Sequence, residues 1–200
     1  MLTMESNLSV KLIGIVGWKN SGKTTLAEAL VRNFVARGVR VATIKHAHHD
    51  FDTDKPGTDS YRHRAAGANQ VIVASDHRWA HIKEVAGESP PKLEELVARL
   101  TPVDLVIVEG FKREAHPKIQ VMRSHDTHQA MPPEVSNIIA IATDVELSAA
   151  SKDSNVSKDS NSINDSNDQP ATKILDLNAI EEIADYICDY LQLEQSRGQS

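Results

Sequence analysis

Apolar residues along the 200-residue chain cluster in two ways. Short unbroken runs closed by glycine, proline or polar groups have the length and two-sided burial of strands in a parallel sheet. They are "VKLIGIVG" (10–17), "VRVATIKHA" (39–47), "NQVIVAS" (69–75), "RWAHIKEV" (78–85), "VDLVIVEG" (103–110), "HPKIQVM" (116–122) and "NIIAIAT" (137–143). Elsewhere the spacing is helical. Ala27, Leu30, Val31 and Phe34 fall at i, i+3, i+4 and i+7, with Gly38 as the stop. Ile180, Ile183, Ala184, Ile187 and Leu191 form a second stripe within 178–193, on the same side as Cys188. Residues 59–66 and "PPKLEELVARL" (90–100), which opens on proline, read as two further helices. Strand, loop, helix and strand in succession make a βαβ unit. The whole is expected to be an α/β protein, a mostly parallel sheet flanked by helices with extra antiparallel strands.

One stretch follows neither pattern. Between 148 and 170, "SKDSNVSKDSNSINDSND" is an imperfect repeat with almost no apolar residues, too poor in burial to offset the entropy of ordering it. It is read as a disordered insertion in one globular domain spanning 1–200, since 40% hydrophobic content supports a single sizeable core. The net charge of −6 gives no electrostatic footprint for DNA or RNA. The single cysteine, Cys188, allows no intrachain disulfide and is expected to be buried. No apolar run approaches the ~20 residues that span a bilayer, and the start of the chain lacks a signal-peptide core. A cytoplasmic protein with neither membrane nor nucleic-acid partner is expected.

The loop after the first strand carries the chemistry. "GWKNSGKT" satisfies G-x-x-x-x-G-K-[ST] and lies between a predicted strand and a predicted helix, the context a P-loop requires. Gly17, Trp18, Lys19, Asn20, Ser21 and Gly22 would curl their backbone N–H groups around phosphate oxygens, at a helix N-terminus whose dipole favours negative charge. Lys23 would reach the β and γ phosphates, Thr24 would offer its hydroxyl to Mg²⁺, and Thr25 would meet the α phosphate. Mg²⁺ also calls for carboxylates. Glu109 stands at the carboxyl end of its strand, where ligands of parallel sheets bind, whereas Asp104 enters that strand about 16 Å away at ~3.3 Å per residue. Asp50, just past the second strand, is the further candidate. Asp144, closing "AIATD", lies at the same sheet edge and could accept the guanine N1–H and N2–H₂ donors; a turn cap is the alternative.

The connection "KHAHHDFDTDKPGTDS" gathers Lys45, His46, His48, His49, Asp50, Asp52, Asp54, Lys55 and Asp59. It is read as a switch-type loop, with a metal-inserting role for His46, His48 and Asp50 as the alternative. Lys55, Arg62, Arg64, Arg78, Lys112 and Arg113 recur near strand ends, where cations suit a second phosphorylated ligand. Trp79 is expected in the core or at a dimer contact.

Taken together, "GWKNSGKTTL", "IKHAHHDFDTDKPGTDSYRHRAAGA", "ASDHRWA" and "VDLVIVEGFK" resemble the molybdopterin-guanine dinucleotide biosynthesis adaptor family, MobB. The likeness runs from about Lys11 to Arg123 and returns at "AIATD"; the repeat insertion lies outside it. The first motif is shared by P-loop proteins at large, while "HHDFDTDKPGTDS" with "VEGFK" is specific. The resemblance implies a P-loop NTPase fold, GTP and Mg²⁺ as ligands, hydrolysis that is weak at most, and a homodimer. It also implies partnership with MobA, the guanylyltransferase that transfers GMP from GTP to molybdopterin, and hence contact with molybdopterin or its guanine dinucleotide. Many dimeric P-loop ATPases carry a lysine second in the loop. Here that position is Trp18, with Lys19 next, so no lysine acting in trans is implied. A small-metabolite kinase or synthetase using ATP, such as dethiobiotin synthetase, shares the loop and the strand-end glutamate and is the competing enzyme reading.

Overall fold

The structure, a computed structural model, describes residues 10–47, 51–85, 87–124, 131–145 and 172–193. The chain divides into two compact units: Met1–His46 with Leu100–Ser200, and Ala47–Arg99. The 148–170 insertion lies outside the described residues.

In the first unit the sheet strands are β1 (Lys11–Gly17), β2 (Val41–Lys45), β5 (Leu105–Glu109), β6 (Lys118–Met122), β7 (Ile138–Thr143) and β8 (Lys173–Asp176). Among the described residues they form one sheet in the order β2-β5-β1-β6-β7-β8, with every neighbouring pair parallel. β1 is central and hands the chain directly to the glycine loop and helix α1 (Lys23–Ala36). Leu26, Leu30 and Phe34 are the buried line of α1, and Ala27 and Val31 flank it, so the apolar stripe is centred one residue before the spacing alone suggested. Gly38 takes a left-handed φ of 79° just after the helix ends. Helix α4 (Ile180–Leu191) buries Ile183, Ala184, Ile187 and Cys188 against the same core, which includes Ile13, Ile15, Leu105 and Ile107. Each such aliphatic side chain contributes about 1.5–3 kcal/mol by leaving water. Arg37 joins the two helices through Glu181 and Asp185, both at 2.5 Å. Tyr186 Oη donates to the Ile139 carbonyl at 2.9 Å and holds α4 over β7.

β8 escapes the apolar-run rule because only Leu175 among its residues is buried. The entry edge of the sheet is tied by Asp104. It accepts from the Arg40 backbone N–H at 2.8 Å and from its guanidinium at 2.6 and 3.0 Å, the strand-entry role expected of it. Lys118, fully buried at the start of β6, donates Nζ to the carbonyls of Glu114, His116 (2.8 Å) and Ser136 (3.0 Å). Burial lowers its pKa below the ordinary lysine value, with Glu114 acting in the opposite sense.

The second unit contains α2 (Asp59–Ala65), the antiparallel hairpin β3 (Gln70–Ala74) and β4 (Trp79–Lys83), and the short helix α3 (Leu93–Val97). Arg64 organises it, donating to Asp54 at 2.6 Å, Glu84 at 2.8 Å and Asp52 at 3.0 Å. These partners raise the Arg64 pKa further, Asp54 foremost. Trp79 is 67% exposed, so it is not core: its register places it opposite Ala74, on the open hairpin face that also carries Ile72. Among the described residues, no helix is long and apolar enough to cross a membrane.

Candidate functional site

β1 ends at Gly17, and the chain turns back over the carboxyl edge of the sheet before α1 begins. A Cβ at Gly17 would stand 2.5 Å from Ser21 Oγ and 2.7 Å from the Val121 carbonyl, so only glycine permits this turn. Asn20 and Gly22 adopt left-handed φ values of 65° and 95°, and the Gly22 carbonyl accepts the first helical N–H, from Leu26, at 3.0 Å. The Trp18 carbonyl receives the Ser21 N–H at 3.3 Å and Lys23 Nζ at 2.6 Å. Lys23 is thus folded onto its own loop. Ser21 is fully buried, and among the described residues its Oγ has no hydrogen-bond partner. A buried hydroxyl without a partner costs free energy, and an anion seated in the loop would satisfy it. Lys19, Asn20, Thr24 and Thr25 are exposed.

The expected metal ligands meet in part. Thr24 Oγ1 donates to Glu109 Oε1 at 2.9 Å, across 85 positions of sequence. Two cis ligands of a magnesium octahedron, each at ~2.0–2.1 Å, lie about 2.8–3.0 Å apart, so the pair fits that ion. Glu109 is the register partner of Lys45 on β2 and of Ile15 on β1. Lys45 Nζ lies 3.2 Å from Glu109 Oε1 and 3.3 Å from Thr24 Oγ1. Asp50, with His48 and His49, lies outside the described residues. His46 is described: it donates its N–H to the Glu109 carbonyl at 2.8 Å and sets its ring 4.8 Å from that of Phe111. Gly110, with φ 94°, admits this approach, since a Cβ there would meet the His46 Cβ at 2.8 Å. Among the described residues, no group of three or more His, Cys, Asp or Glu is placed to hold a metal.

On the other side of the loop, Asp144 directly follows β7. Its Oδ1 accepts the Ser124 N–H at 2.8 Å, and its Oδ2 lies 3.4 Å from Arg123 Nη1. Asp144 therefore secures the end of the neighbouring strand, while the local turn contact is made by Thr143 Oγ1 to the Val145 N–H at 3.1 Å. A carboxylate has lone pairs for further donors. Arg123 was not singled out by its sequence context, yet its Nε donates to the Ser21 carbonyl at 3.2 Å, and its guanidinium lies against Gly22. It connects the glycine loop to Asp144.

The cations grouped as a second anion site separate into different roles. Arg64 is committed to its three carboxylates, Arg62 lies 3.8 Å from Asp59, and Lys112 Nζ sits 5.4 Å from the centre of the Trp18 ring. Arg78 and Arg113 are exposed. Trp18 itself packs beside Val16, Met131 and Val135, which accounts for an aromatic residue in a glycine loop.

A parallel sheet with a strand–glycine loop–helix at its centre defines a P-loop NTPase-like α/β protein. Residues 12–144 match the model of the family MobB, "Molybdopterin guanine dinucleotide synthesis protein B". The chain belongs to that family. It is 37% identical over 194 residues to the molybdopterin-guanine dinucleotide biosynthesis adapter protein of Escherichia coli (strain K12), covering 94% of this chain and 98% of that protein. The Haemophilus influenzae adapter protein is 38% identical over 187 residues, with 92% of each chain covered. The crystal structure of Bacillus subtilis MobB superposes with a TM-score of 0.63 at 21% identity, over 92% of this chain and 99% of that one, a likeness of fold.

Proposed function

We propose that this chain is a cytoplasmic, homodimeric GTP-binding adapter that assists MobA in attaching GMP to molybdopterin. The names of its relatives support the pathway. The observation that carries the nucleotide reading is the glycine loop with Ser21 Oγ buried inside it and Thr24 within 2.9 Å of Glu109. GTP would lie with its phosphates under the loop N–H groups and Lys23. Mg²⁺, held by Thr24 and Glu109 with Asp50 as a further carboxylate, would neutralise the β and γ oxygens. Asp144 would meet the base and favour guanine, whose N1–H and N2–H₂ donate, over adenine, whose N1 accepts. Hydrolysis is weak at most on this reading, since Glu109, the carboxylate beside Thr24, is assigned to Mg²⁺ and not to activating water. Ile72 and Trp79 supply exposed apolar area for a dimer contact, and the buried thiol of Cys188 suits a reducing compartment.

Titration calorimetry with GTP and ATP, with and without MobA, tests this reading. GTP is expected to bind at least tenfold tighter than ATP and to remain bound when MobA is added. Preference for ATP with rapid substrate-dependent turnover would assign the chain to metabolite kinases or synthetases instead.

A further inference from the structure

Lys45 belongs to neither the glycine loop nor the expected metal ligands, yet its ammonium completes a triangle with them. β2 and β5 pair in parallel with Lys45 opposite Glu109, so the two side chains leave the same sheet face at the same level. That face is covered by α1, whose first turn brings Thr24 to Glu109. The result is a set of three mutual distances: 2.9 Å between Thr24 Oγ1 and Glu109 Oε1, 3.2 Å from Lys45 Nζ to Glu109 Oε1, and 3.3 Å from Lys45 Nζ to Thr24 Oγ1. Glu109 is only 14% exposed, while Lys45 is 58% exposed on a flexible stem and can leave.

We propose that the Lys45 ammonium and a divalent cation compete for the pair of oxygens on Thr24 and Glu109, so that Lys45 serves as an exchangeable internal cation of the phosphate site. This rests on the reading of the loop as a triphosphate site. A metal bound to both oxygens at ~2.0–2.1 Å would either overlap the ammonium or lie within about 4–5 Å of it across the oxygen pair, and like charges repel in both places. The Thr24 hydroxyl can donate to Glu109 beside the lysine but must turn its lone pair to a metal. Lys45 thus matches the hydrogen-bonded arrangement, and Mg²⁺ the coordinated one. An ammonium beside the two oxygens that would hold the metal would also supply part of the positive charge the metal brings. The protein should therefore retain triphosphate affinity when magnesium is scarce. An exposed ion pair of no consequence is the alternative, and such pairs contribute little.

The test is the ratio of GTP dissociation constants measured in EDTA and in excess Mg²⁺ for the full chain. In the unmodified protein the ratio should stay within about tenfold, a difference of up to ~1.4 kcal/mol. In Lys45→Met and Lys45→Gln it should rise at least a further tenfold through loss of magnesium-free binding, and Lys45→Arg should restore it. Mn²⁺ titrated into the GTP complex should bind more tightly to Lys45→Met than to the unmodified protein. Equal ratios and equal Mn²⁺ affinities across the series would overturn the role of Lys45 while leaving the triphosphate site intact. Failure of the unmodified protein to bind GTP even with Mg²⁺ would overturn both readings.

Discussion

Lys118 and Lys23 stand at opposite ends of the same sheet, and their surroundings differ in kind. At the start of β6, Lys118 is wholly enclosed, and three backbone carbonyls accept from it. At the carboxyl edge, Lys23 donates to the Trp18 carbonyl of its own loop, beside a buried serine hydroxyl and the Thr24–Glu109–Lys45 triangle. The first cation joins the strand entries of β6 and β7 and is spent on the fold. The second is held by a short local bond that a phosphate could replace. The same division separates the carboxylates: Asp104 is bound by Arg40, and Asp52, Asp54 and Glu84 are bound by Arg64, whereas Glu109 shares its charge with an exposed lysine. Residue type alone therefore does not mark a binding group; what matters is whether its partners would remain buried and unmet after it left.

Exchanging the two lysines for alanine breaks the comparison most sharply. Lys118→Ala should destabilise the protein by about 3–5 kcal/mol, since it opens a cavity and leaves three carbonyls without their donor. Lys23→Ala should cost stability no more than about 1 kcal/mol but weaken triphosphate binding at least a hundredfold, or ~2.7 kcal/mol. Chemical denaturation and calorimetry on both variants read this crossing; equal stability losses would erase the distinction.

A smaller effect is expected at Asp144, which has both a structural partner in the Ser124 N–H and capacity for a base. Asp144→Asn should reduce the preference for GTP over ATP about tenfold, ~1.4 kcal/mol, and improve binding of xanthosine triphosphate, whose base accepts where guanine donates. Competition among the three nucleotides measures it. An undiminished preference would leave Asp144 as a strand tie alone.

The smallest effect belongs to Asp104. The Arg40 guanidinium and backbone N–H hold its pKa below the ordinary 3.8. Its stabilising contribution is therefore complete above that value and lost as pH falls through the depressed folded pKa. The pair is partly solvated, so at pH 7 the contribution is at most about 1 kcal/mol. Asp104→Asn should flatten the decline in stability below about pH 4, as thermal unfolding across pH would show; an unchanged acid profile would mean that other carboxylates govern it.

Much of this is legible in the sequence. The strands of the parallel sheet other than β8, the glycine loop, α1 and α4 follow from local periodicity and from glycines at positions where a Cβ would collide or a left-handed φ is needed. Thr24 and Glu109 were identifiable as a pair because the loop and the strand end both belong to the carboxyl edge. Other features were not legible. β8 lacks an apolar run, Trp79 reads as core or a dimer contact and only its open hairpin face excludes the core, and Arg64 looks like an anion-binding cation until its three carboxylates are placed around it.

By itself the sequence determined which segments become strands and helices and which loop can cradle an anion, because backbone freedom and hydrophobic spacing act over a few residues. Tertiary structure alone decided the partners. Lys45 faces Glu109 because β2 lies next to β5 in register, Arg123 meets Asp144 because β6 lies next to β7, and Lys118 is enclosed because its strand starts against β1. Strand order and register are set by long-range packing, and charges tens of residues apart acquire their roles only when that packing fixes the distance between them.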